Sequence, residues 1–258
     1  MIKMIANKTK SDREKKFIRL SFTGHGINDL YFFILPPVLP LILRQYGLSY
    51  SAAGGILTAY LATLSIFTYI NGKLSDTISR GEIIAGGFLL ASTSFCVASF
   101  IPWLGLFIPI IALAAVGVST YHPVMYSMLD EFTTGKKGKM YGGFEFWGIF
   151  AIFCMFLLNG TLLSFLEWKY ILIITAIPGF FMSFIFFKNR DFLKRTNIKV
   201  EEEEKQSNEE SSVPLGALLL FIITVILRAF GVIAMINFIP TYFIDVFGIK
   251  ENLAAYTS

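Results

Sequence analysis

Residues 24–40 have the sequence GHGINDLYFFILPPVLP, which is mostly apolar. An apolar helix of about 20 residues is long enough to span the hydrocarbon core of a bilayer. This stretch nevertheless begins with an imidazole, an amide and a carboxylate, at His25, Asn28 and Asp29. Ionisable groups at membrane depth are costly and by default indicate a solute pathway or a proton relay. The stretch therefore predicts a membrane-spanning helix with one polar, functional face.

The composition is that of an integral membrane protein. Of the 258 residues 55% are hydrophobic, 27 are Phe and only 16% are charged, and the mean hydropathy is +0.64. Soluble domains carry about 25% charged residues, so we expect an all-α integral membrane protein. The two cysteines, Cys96 and Cys154, both lie in apolar runs. They favour buried thiols over a disulfide.

Seven apolar runs are long enough to cross a bilayer. They are residues 18–43, 51–71, 83–101, 104–127, 141–163, 170–187 and 215–240. The third and fourth runs are separated only by Pro102 and Trp103. A single helix over 83–118 would be about 54 Å long and would overshoot the membrane. We therefore expect a tight turn at this junction.

Basic residues are distributed unequally between the two sides of the predicted bundle. Eighteen lysines and arginines lie in the N-terminus and the even-numbered loops, whereas three lie in the opposite loops. Positive residues concentrate on the cytoplasmic side of membrane proteins. We therefore expect a multi-pass protein of the plasma membrane with a cytoplasmic N-terminus.

The predicted organisation has four parts. A basic cytoplasmic N-terminus (1–17) precedes a six-span N-terminal bundle (18–187), and residues 188–214 form a cytoplasmic linker. The linker contains EEEEKQSNEE (201–210), whose polar, low-complexity composition predicts disorder. It fits a solvated connection better than a regulatory tail. Residues 215–258 hold a seventh span and the start of an eighth.

An internal repeat relates the first and seventh spans. LPLILRQYGLSYSAAGG (39–55) and IPTYFIDVFGIKENLAAYTS (239–258) share a proline, an aromatic-Gly-aliphatic step and a later Ala-Ala pair. The matched positions are Pro40 with Pro240 and Gly47 with Gly248. Repeated halves joined by a loop are a transporter plan. On this plan we expect the chain to be truncated at the start of the eighth span, either as a fragment or as a product that associates with a separately encoded C-terminal half.

The loop after the second span has the sequence GKLSDTISRG (72–81). It resembles the signature loop of the major facilitator superfamily, Gly-x-Leu-x-Asp-x-x-Gly-Arg-basic. The matching positions are Gly72, Leu74, Asp76 and Arg80, and the departures are Thr77, Ser79 and Gly81. The resemblance implies that Gly72 permits close helix approach and that Asp76 faces a helix N-terminus. The alternative is that Asp76 and Arg80 are ordinary loop charges.

A second resemblance is to the fosmidomycin-resistance branch of this superfamily. It lies in GHGxNDxYxxxLPPxLP of span one, YHP (121–123) of span four, and RxF…NFIPTYF (228–243) of span seven. It implies proton-driven efflux of a drug or another small organic solute. Span five departs from the antiporter pattern, because 142–160 contains glycines and Glu145 but no proline. The direction of transport therefore stays open.

Eight polar side chains within the apolar runs are candidates for the substrate and proton pathway. They are His25, Asn28, Asp29, Tyr121, His122, Glu145, Arg228 and Asn237. His25 and Asp29 are four residues apart, so they share one face of a helix. Arg228 suits an anionic substrate because its guanidinium binds such groups in a bidentate manner. The alternative is that these side chains only hydrogen-bond the helices together.

Three functions were compared. The first is a secondary active, proton-coupled transporter of a small organic solute or drug that works by alternating access. The second is a truncated or split transporter fragment that is inactive alone. The third is an intramembrane metalloenzyme using His25, Asp29, His122 and Glu145, residue types that bind zinc, although no HExxH spacing occurs.

We expect the first function, with no enzymatic activity, cofactor, resident metal or nucleic-acid partner. The expected partners are a small-molecule substrate, protons and the lipid bilayer. A GxxxxGK[ST] phosphate-binding loop does not occur in the sequence. Transport driven by ATP bound to this chain is therefore not expected.

Overall fold

A computed structural model describes residues 2–133, 137–194 and 214–257. In these ranges the chain is helical and contains no strand. The helices are α1 (Ile2–Phe32), α2 (Leu35–Tyr46), α3 (Tyr50–Leu74), α4 (Arg80–Ala98), α5 (Leu104–Val118), α6 (Tyr121–Phe132), α7 (Lys137–Leu162), α8 (Trp168–Lys188), α9 (Leu215–Phe247) and α10 (Glu251–Ala254), followed by a 3₁₀ turn (Ala255–Thr257).

Seven helical stretches of the described chain are long and apolar enough to cross a membrane. They are Asp12–Tyr46, Tyr50–Leu74, Arg80–Ala98, Leu104–Phe132, Lys137–Leu162, Trp168–Lys188 and Leu215–Phe247. The predicted all-α class and the predicted number of spans are thereby confirmed. Most of the predicted acidic linker, including 201–210, lies outside the described residues, as does Ser258.

Two of the predicted spans are each divided into two helices. The first breaks between α1 and α2 at residues 33–34, and the fourth breaks between α5 and α6 at residues 119–120. Proline explains both breaks, since it has no N–H to donate and its ring collides with the carbonyl four residues earlier. Pro36 and Pro37 follow the first break, and Pro123 follows the second.

Helices α4, α5, α8 and α1 pack closely because small residues lie between them. A Cβ added to Gly87 on α4 would lie 2.7 Å from the Gly117 carbonyl oxygen of α5. Tyr31 of α1 is fully buried and donates to the Ala176 carbonyl of α8 at 3.2 Å. The Ser92 hydroxyl of α4 lies 2.8 Å from the same phenolic oxygen. These contacts place α1 in the interior of the bundle.

The proposed repeat has a structural counterpart at its glycines. Gly47 ends α2 with a φ of 62°, and Gly248 ends α9 with a φ of 64°. They are the positive-φ residues of the described chain, and a left-handed residue after a helix is the usual place for glycine. The following amide bonds back in each case, Leu48 N–H to Leu43 and Ile249 N–H to Phe243. Helices α2 and α9 also pack against each other.

Candidate functional site

Three ionisable side chains from two helices converge within the bundle. His25 and Asp29 lie one turn apart on α1, and His122 lies near the start of α6. The Nε2 atoms of the two histidines are 3.1 Å apart. Asp29 Oδ2 lies 3.3 Å from His25 Nε2, and Asp29 Oδ1 lies 3.4 Å from His122 Nε2. We call these three residues the His-Asp-His cluster.

Helix α7 fixes the orientation of His25. The Nδ1 atom of His25 donates a hydrogen bond to the carbonyl oxygen of Phe144, on α7, at 2.7 Å. The imidazole also stacks on the Phe144 ring, with centroids 3.8 Å apart and planes 2° from parallel. In the neutral ring the proton on Nδ1 leaves a lone pair on Nε2. His25 Nε2 therefore faces His122 as an acceptor.

Asn28 orients His122 from the other side. The Asn28 Nδ2 amide donates to His122 Nδ1 at 3.3 Å. A neutral imidazole that accepts at Nδ1 carries its proton on Nε2. His122 Nε2 therefore donates toward His25 Nε2 and Asp29 Oδ1, the two acceptors near it. The predicted trio of span one is brought together with the histidine of span four.

The His-Asp-His cluster is open on one side. The His25 and Asn28 residues are buried, with 1% and 2% of their surfaces exposed. The side chain of Asp29 is 13% exposed and that of His122 is 29% exposed. His122 and Asp29 therefore form the exposed edge of the cluster.

Gly148 of α7 closes the opposite side of the cluster. A Cβ added to Gly148 would lie 2.4 Å from Asp29 Oδ2 and 2.6 Å from His25 Cε1. Such contacts are far inside van der Waals distance, so a side chain at position 148 would displace Asp29 and His25. Sequence reasoning did not single out Gly148. The GxxxxxG spacing from Gly142 to Gly148 gives no hint of which glycine touches the site.

Glu145 lies beside the cluster and contacts α6. The Tyr126 hydroxyl donates to Glu145 Oε1, and the Tyr126 ring is 6.0 Å from the His122 ring. Glu145 is exposed and directly follows Phe144, the residue that accepts from His25. The predicted carboxylate of span five is therefore in the neighbourhood of the cluster, on its open surface.

The other predicted pathway residues have different surroundings. Tyr121 is buried and donates to the Ser21 carbonyl oxygen, so its hydroxyl joins α6 to α1. Arg228 is exposed on α9. Asn237 is buried and lines a pocket of about 410 Å³ between α3 and α9, whose walls include Leu57 and Phe230.

The signature loop contains one deeply buried charge. The Arg80 guanidinium donates to Glu131 Oε2 of α6 at 2.6 Å, and less than a tenth of either side chain is exposed. Arg80 is therefore more than an ordinary loop charge. Asp76 and Leu74 are exposed. A Cβ on Gly72 would meet Pro123 at 3.5 Å, an ordinary contact, so packing within the described chain does not require glycine there.

The sequence matches the family described as the Major Facilitator Superfamily over residues 21–258. Among curated proteins, a 121-residue stretch is 29% identical to protein spinster of Drosophila melanogaster and covers 46% of this chain. A 66-residue stretch is 32% identical to the uncharacterized MFS-type transporter YceJ of Bacillus subtilis (strain 168) and covers 25% of this chain. These matches span about a fifth of each relative, 20% and 17%.

Solved transporters have the same fold. A bacterial homolog of the human lysosomal transporter Spinster, inward-facing and unoccupied, superposes with a TM-score of 0.73 at 13% identity over 95% of this chain and 58% of that chain. A D-xylose–proton symporter gives a TM-score of 0.62 at 17% identity over 92% of this chain and 63% of that one. This chain therefore spans less than two thirds of these structures. By its sequence match and its fold, the chain belongs to the Major Facilitator Superfamily of membrane transporters and is not an enzyme.

Proposed function

We propose that this chain is part of a secondary active transporter that moves a small organic solute or drug across the plasma membrane by alternating access, driven by protons. The observation that carries the proposal is the His-Asp-His cluster, three ionisable groups in mutual contact within spans of a transporter fold. Ionisable groups at this depth are rare and are typical of proton relays and solute pathways.

The geometry of the cluster supports proton coupling. Asn28 donates to His122 and His122 donates to His25, while Asp29 lies against both imidazoles. A proton entering past His122 can pass to Asp29 or His25 over distances of 3.1 to 3.4 Å. The likeness in fold to a D-xylose–proton symporter is in keeping with this use of protons.

Contacts at one end of the bundle support alternating access. Arg44, near the end of α2, pairs with Glu251 of α10. The Asn252 amide donates to the Ser164 hydroxyl at 2.8 Å, and the Tyr256 and Thr161 hydroxyls are 3.0 Å apart. With the cytoplasmic N-terminus that we propose from the charge distribution, this would be the outer end. Closure there corresponds to an inward-facing state, the state of the Spinster homolog.

The pocket between α3 and α9 supports a drug-like substrate. Its walls are mostly apolar, and Asn237 adds an amide. Binding sites for small organic molecules combine apolar walls with a few polar groups in this way. The exposed Arg228 of the same helix would favour an anionic group on the solute. Membership of the fosmidomycin-resistance branch, with export of such a solute, is part of this proposal.

We further propose that transport uses helices beyond those described here. The solved transporters are longer than the matched region, which covers 58% and 63% of their chains. In the two-half plan the substrate site lies between the halves. The missing helices would come from a longer protein or from a separately encoded partner. A downstream reading frame encoding about five further spans would support the second source.

Inside-out vesicles containing the complete gene product, with any such partner coexpressed, test the proposed function. A proton gradient is imposed, and a pH-sensitive dye reports its collapse when each solute of a panel is added. We expect solute-dependent proton movement in the wild type, and its loss in Asp29→Asn and His25→Ala. Asp191→Asn, which alters an exposed carboxylate paired with Lys194, is the control. Unchanged proton movement in Asp29→Asn would refute the role of the cluster.

A further inference from the structure

We infer that the His-Asp-His cluster binds a divalent transition-metal ion, so that the substrate class of this transporter includes such an ion, either free or held by a small organic chelator. The inference rests on the proposed transport function and specifies what its polar site accepts. The metal is a cargo here, not a resident cofactor. His25, His122 and Asp29 each offer one ligand atom, and these atoms all lie within 4.8 Å of one another.

The contacts between the donor groups are close to the spacing of tetrahedral ligands. Zinc binds imidazole nitrogen and carboxylate oxygen at about 2.0–2.1 Å, which separates neighbouring tetrahedral ligands by about 3.3–3.4 Å. The two Nε2 atoms are 3.1 Å apart, His25 Nε2 lies 3.3 Å from Asp29 Oδ2, and His122 Nε2 lies 3.4 Å from Asp29 Oδ1. The two imidazoles therefore face different oxygens of one carboxylate, and an ion would bind after a rotation of that carboxylate brings one oxygen toward both.

The surroundings hold the ligands in the required form. A metal-binding imidazole is usually oriented by a hydrogen bond from its other ring nitrogen. His25 has this bond, since its Nδ1 donates to the Phe144 carbonyl at 2.7 Å and its Nε2 lone pair faces the cluster. His122 would need the Asn28 amide to turn over, so that its oxygen accepts from Nδ1. The Asn28 side chain already lies at 3.3 Å from that atom.

Charge and access also favour a divalent cation. Asp29 supplies one carboxylate within the site and the neighbouring Glu145 supplies another at its open surface. Two carboxylates match a charge of +2. Three protein ligands leave the fourth tetrahedral position free, and the exposed edge of His122 gives access to it. Water or one donor atom of a chelator can occupy that position.

This ligand set also selects among metals. Two imidazoles and one carboxylate suit Zn²⁺, Co²⁺ and Ni²⁺, whereas Mg²⁺ and Ca²⁺ prefer sites made of oxygen. A proton and a transition metal would use the same atoms of the cluster. Binding of one ion therefore prevents binding of the other, which a transporter that exchanges protons for metal ions requires.

The purified full chain in lipid nanodiscs provides the test, with Co²⁺ as the first probe. Tetrahedral Co²⁺ bound to nitrogen and oxygen gives intense visible absorption, and titration gives the stoichiometry and the affinity. We expect one Co²⁺ per chain, displaced by Zn²⁺ but not by millimolar Mg²⁺ or Ca²⁺. His25→Gln, His122→Gln and Asp29→Asn should each weaken binding by at least tenfold, whereas Asp191→Asn should bind like the wild type.

Several results would overturn the inference. These are an absence of the visible bands in the wild type, binding that is equal in Asp29→Asn and Asp191→Asn, or displacement by Mg²⁺. Thermal unfolding of each variant shows whether weaker binding comes from loss of a metal ligand or from loss of the fold. If His25→Gln does not fold, His122→Gln still tests the site, because His122 lies at its exposed edge.

Transport measurements distinguish the inference from the proposed function. Vesicles are given ⁶⁵Zn²⁺ as the free ion or as its citrate complex, which separates the two sources of the metal. If the metal binds but neither free Zn²⁺, its citrate complex nor any other solute is transported, the metal site stands and the proposed transport function is refuted. Proton-driven flux of an organic solute without metal binding would refute the inference alone.

Discussion

Gly148 is the residue on which the geometry of the His-Asp-His cluster depends most closely. We predict that Gly148→Ala displaces Asp29 and His25, because the new Cβ would lie 2.4 Å and 2.6 Å from their atoms. Metal affinity and proton-driven flux should both fall by tenfold or more while the protein still folds. Gly142→Ala is the matched control, since that glycine lies on the same helix with open space around it. Equal behaviour of the two variants in Co²⁺ titration would contradict the packing described.

The ion pair between Arg80 and Glu131 is a second buried contact whose contribution can be measured. Removing one partner of a buried ion pair leaves an uncompensated charge and costs about 3–5 kcal/mol. We therefore expect Arg80→Met or Glu131→Leu to lower the unfolding temperature strongly, and the double variant to recover part of the loss. Lys137→Met breaks a pair with Asp130 in which both side chains are more than half exposed. It should have little effect, and a loss as large as that of Arg80→Met would be inconsistent with this account.

The residues of the cluster were predictable in type but not in arrangement. His25, Asn28 and Asp29 were expected on one helix face because of their spacing. His122 was predicted to belong to the same pathway, but its contacts with these residues were not, because they depend on how α6 packs on α1. Gly148 and Glu131 were missed for the same reason. A glycine or an acid within or beside an apolar run is common, and only the packing of distant helices shows which one makes a contact.

At the scale of elements, the contact between α4 and α5 depends on one glycine of an adjacent pair. A Cβ on Gly87 would collide with Thr120 and the Gly117 carbonyl, whereas one on Gly86 would meet nothing within 4 Å. Gly87→Ala should therefore lower the unfolding temperature and Gly86→Ala should not. Thermal unfolding in detergent compares the two. Equal unfolding temperatures of the two variants would contradict a collision specific to Gly87, since alanine is otherwise the better helix former.

The helices themselves were largely predictable. Apolar runs of about 20 residues in a bilayer permit few structures other than helices, so the class and the number of spans followed from composition and length. The breaks at 33–34 and 119–120 were not expected. Proline is tolerated within membrane helices as a kink or as a break, and Pro40 and Pro178 do lie inside α2 and α8. The local sequence did not indicate which prolines would kink a helix and which would end it.

For the whole molecule, we expect the contacts between α2, α7 and α10, at the end proposed above to be the outer one, to hold the inward-facing state. A bifunctional thiol crosslinker joining Ser164→Cys and Asn252→Cys, in a background without Cys96 and Cys154, reports this closure. We expect Glu251→Gln to reduce the crosslinking yield, because it removes the charge that pairs with Arg44. Lys169→Gln, which affects a lysine paired with Glu167, serves as the control and should leave the yield unchanged.

The same contact has a defined pH dependence. A hydrogen bond from its own backbone N–H lowers the pKa of the Glu251 carboxyl, and Arg44 lowers this pKa further. A carboxyl whose pKa is lowered in the closed state stabilises that state above its ordinary pKa of about 4.3. The stabilisation is lost as the pH falls below that value. The crosslinking yield should therefore be constant near neutral pH and decline only in acid. A decline between pH 8 and 6 would assign the closure to other groups.

Coupling of solute movement to protons by the His-Asp-His cluster is tested by comparing gradient-driven accumulation with solute exchange at zero gradient in the same vesicles. We expect Asp29→Asn to lose accumulation above the equilibrium level but to retain exchange, while Asp191→Asn keeps both. Accumulation by Asp29→Asn to the wild-type level would show that the cluster does not couple the two movements.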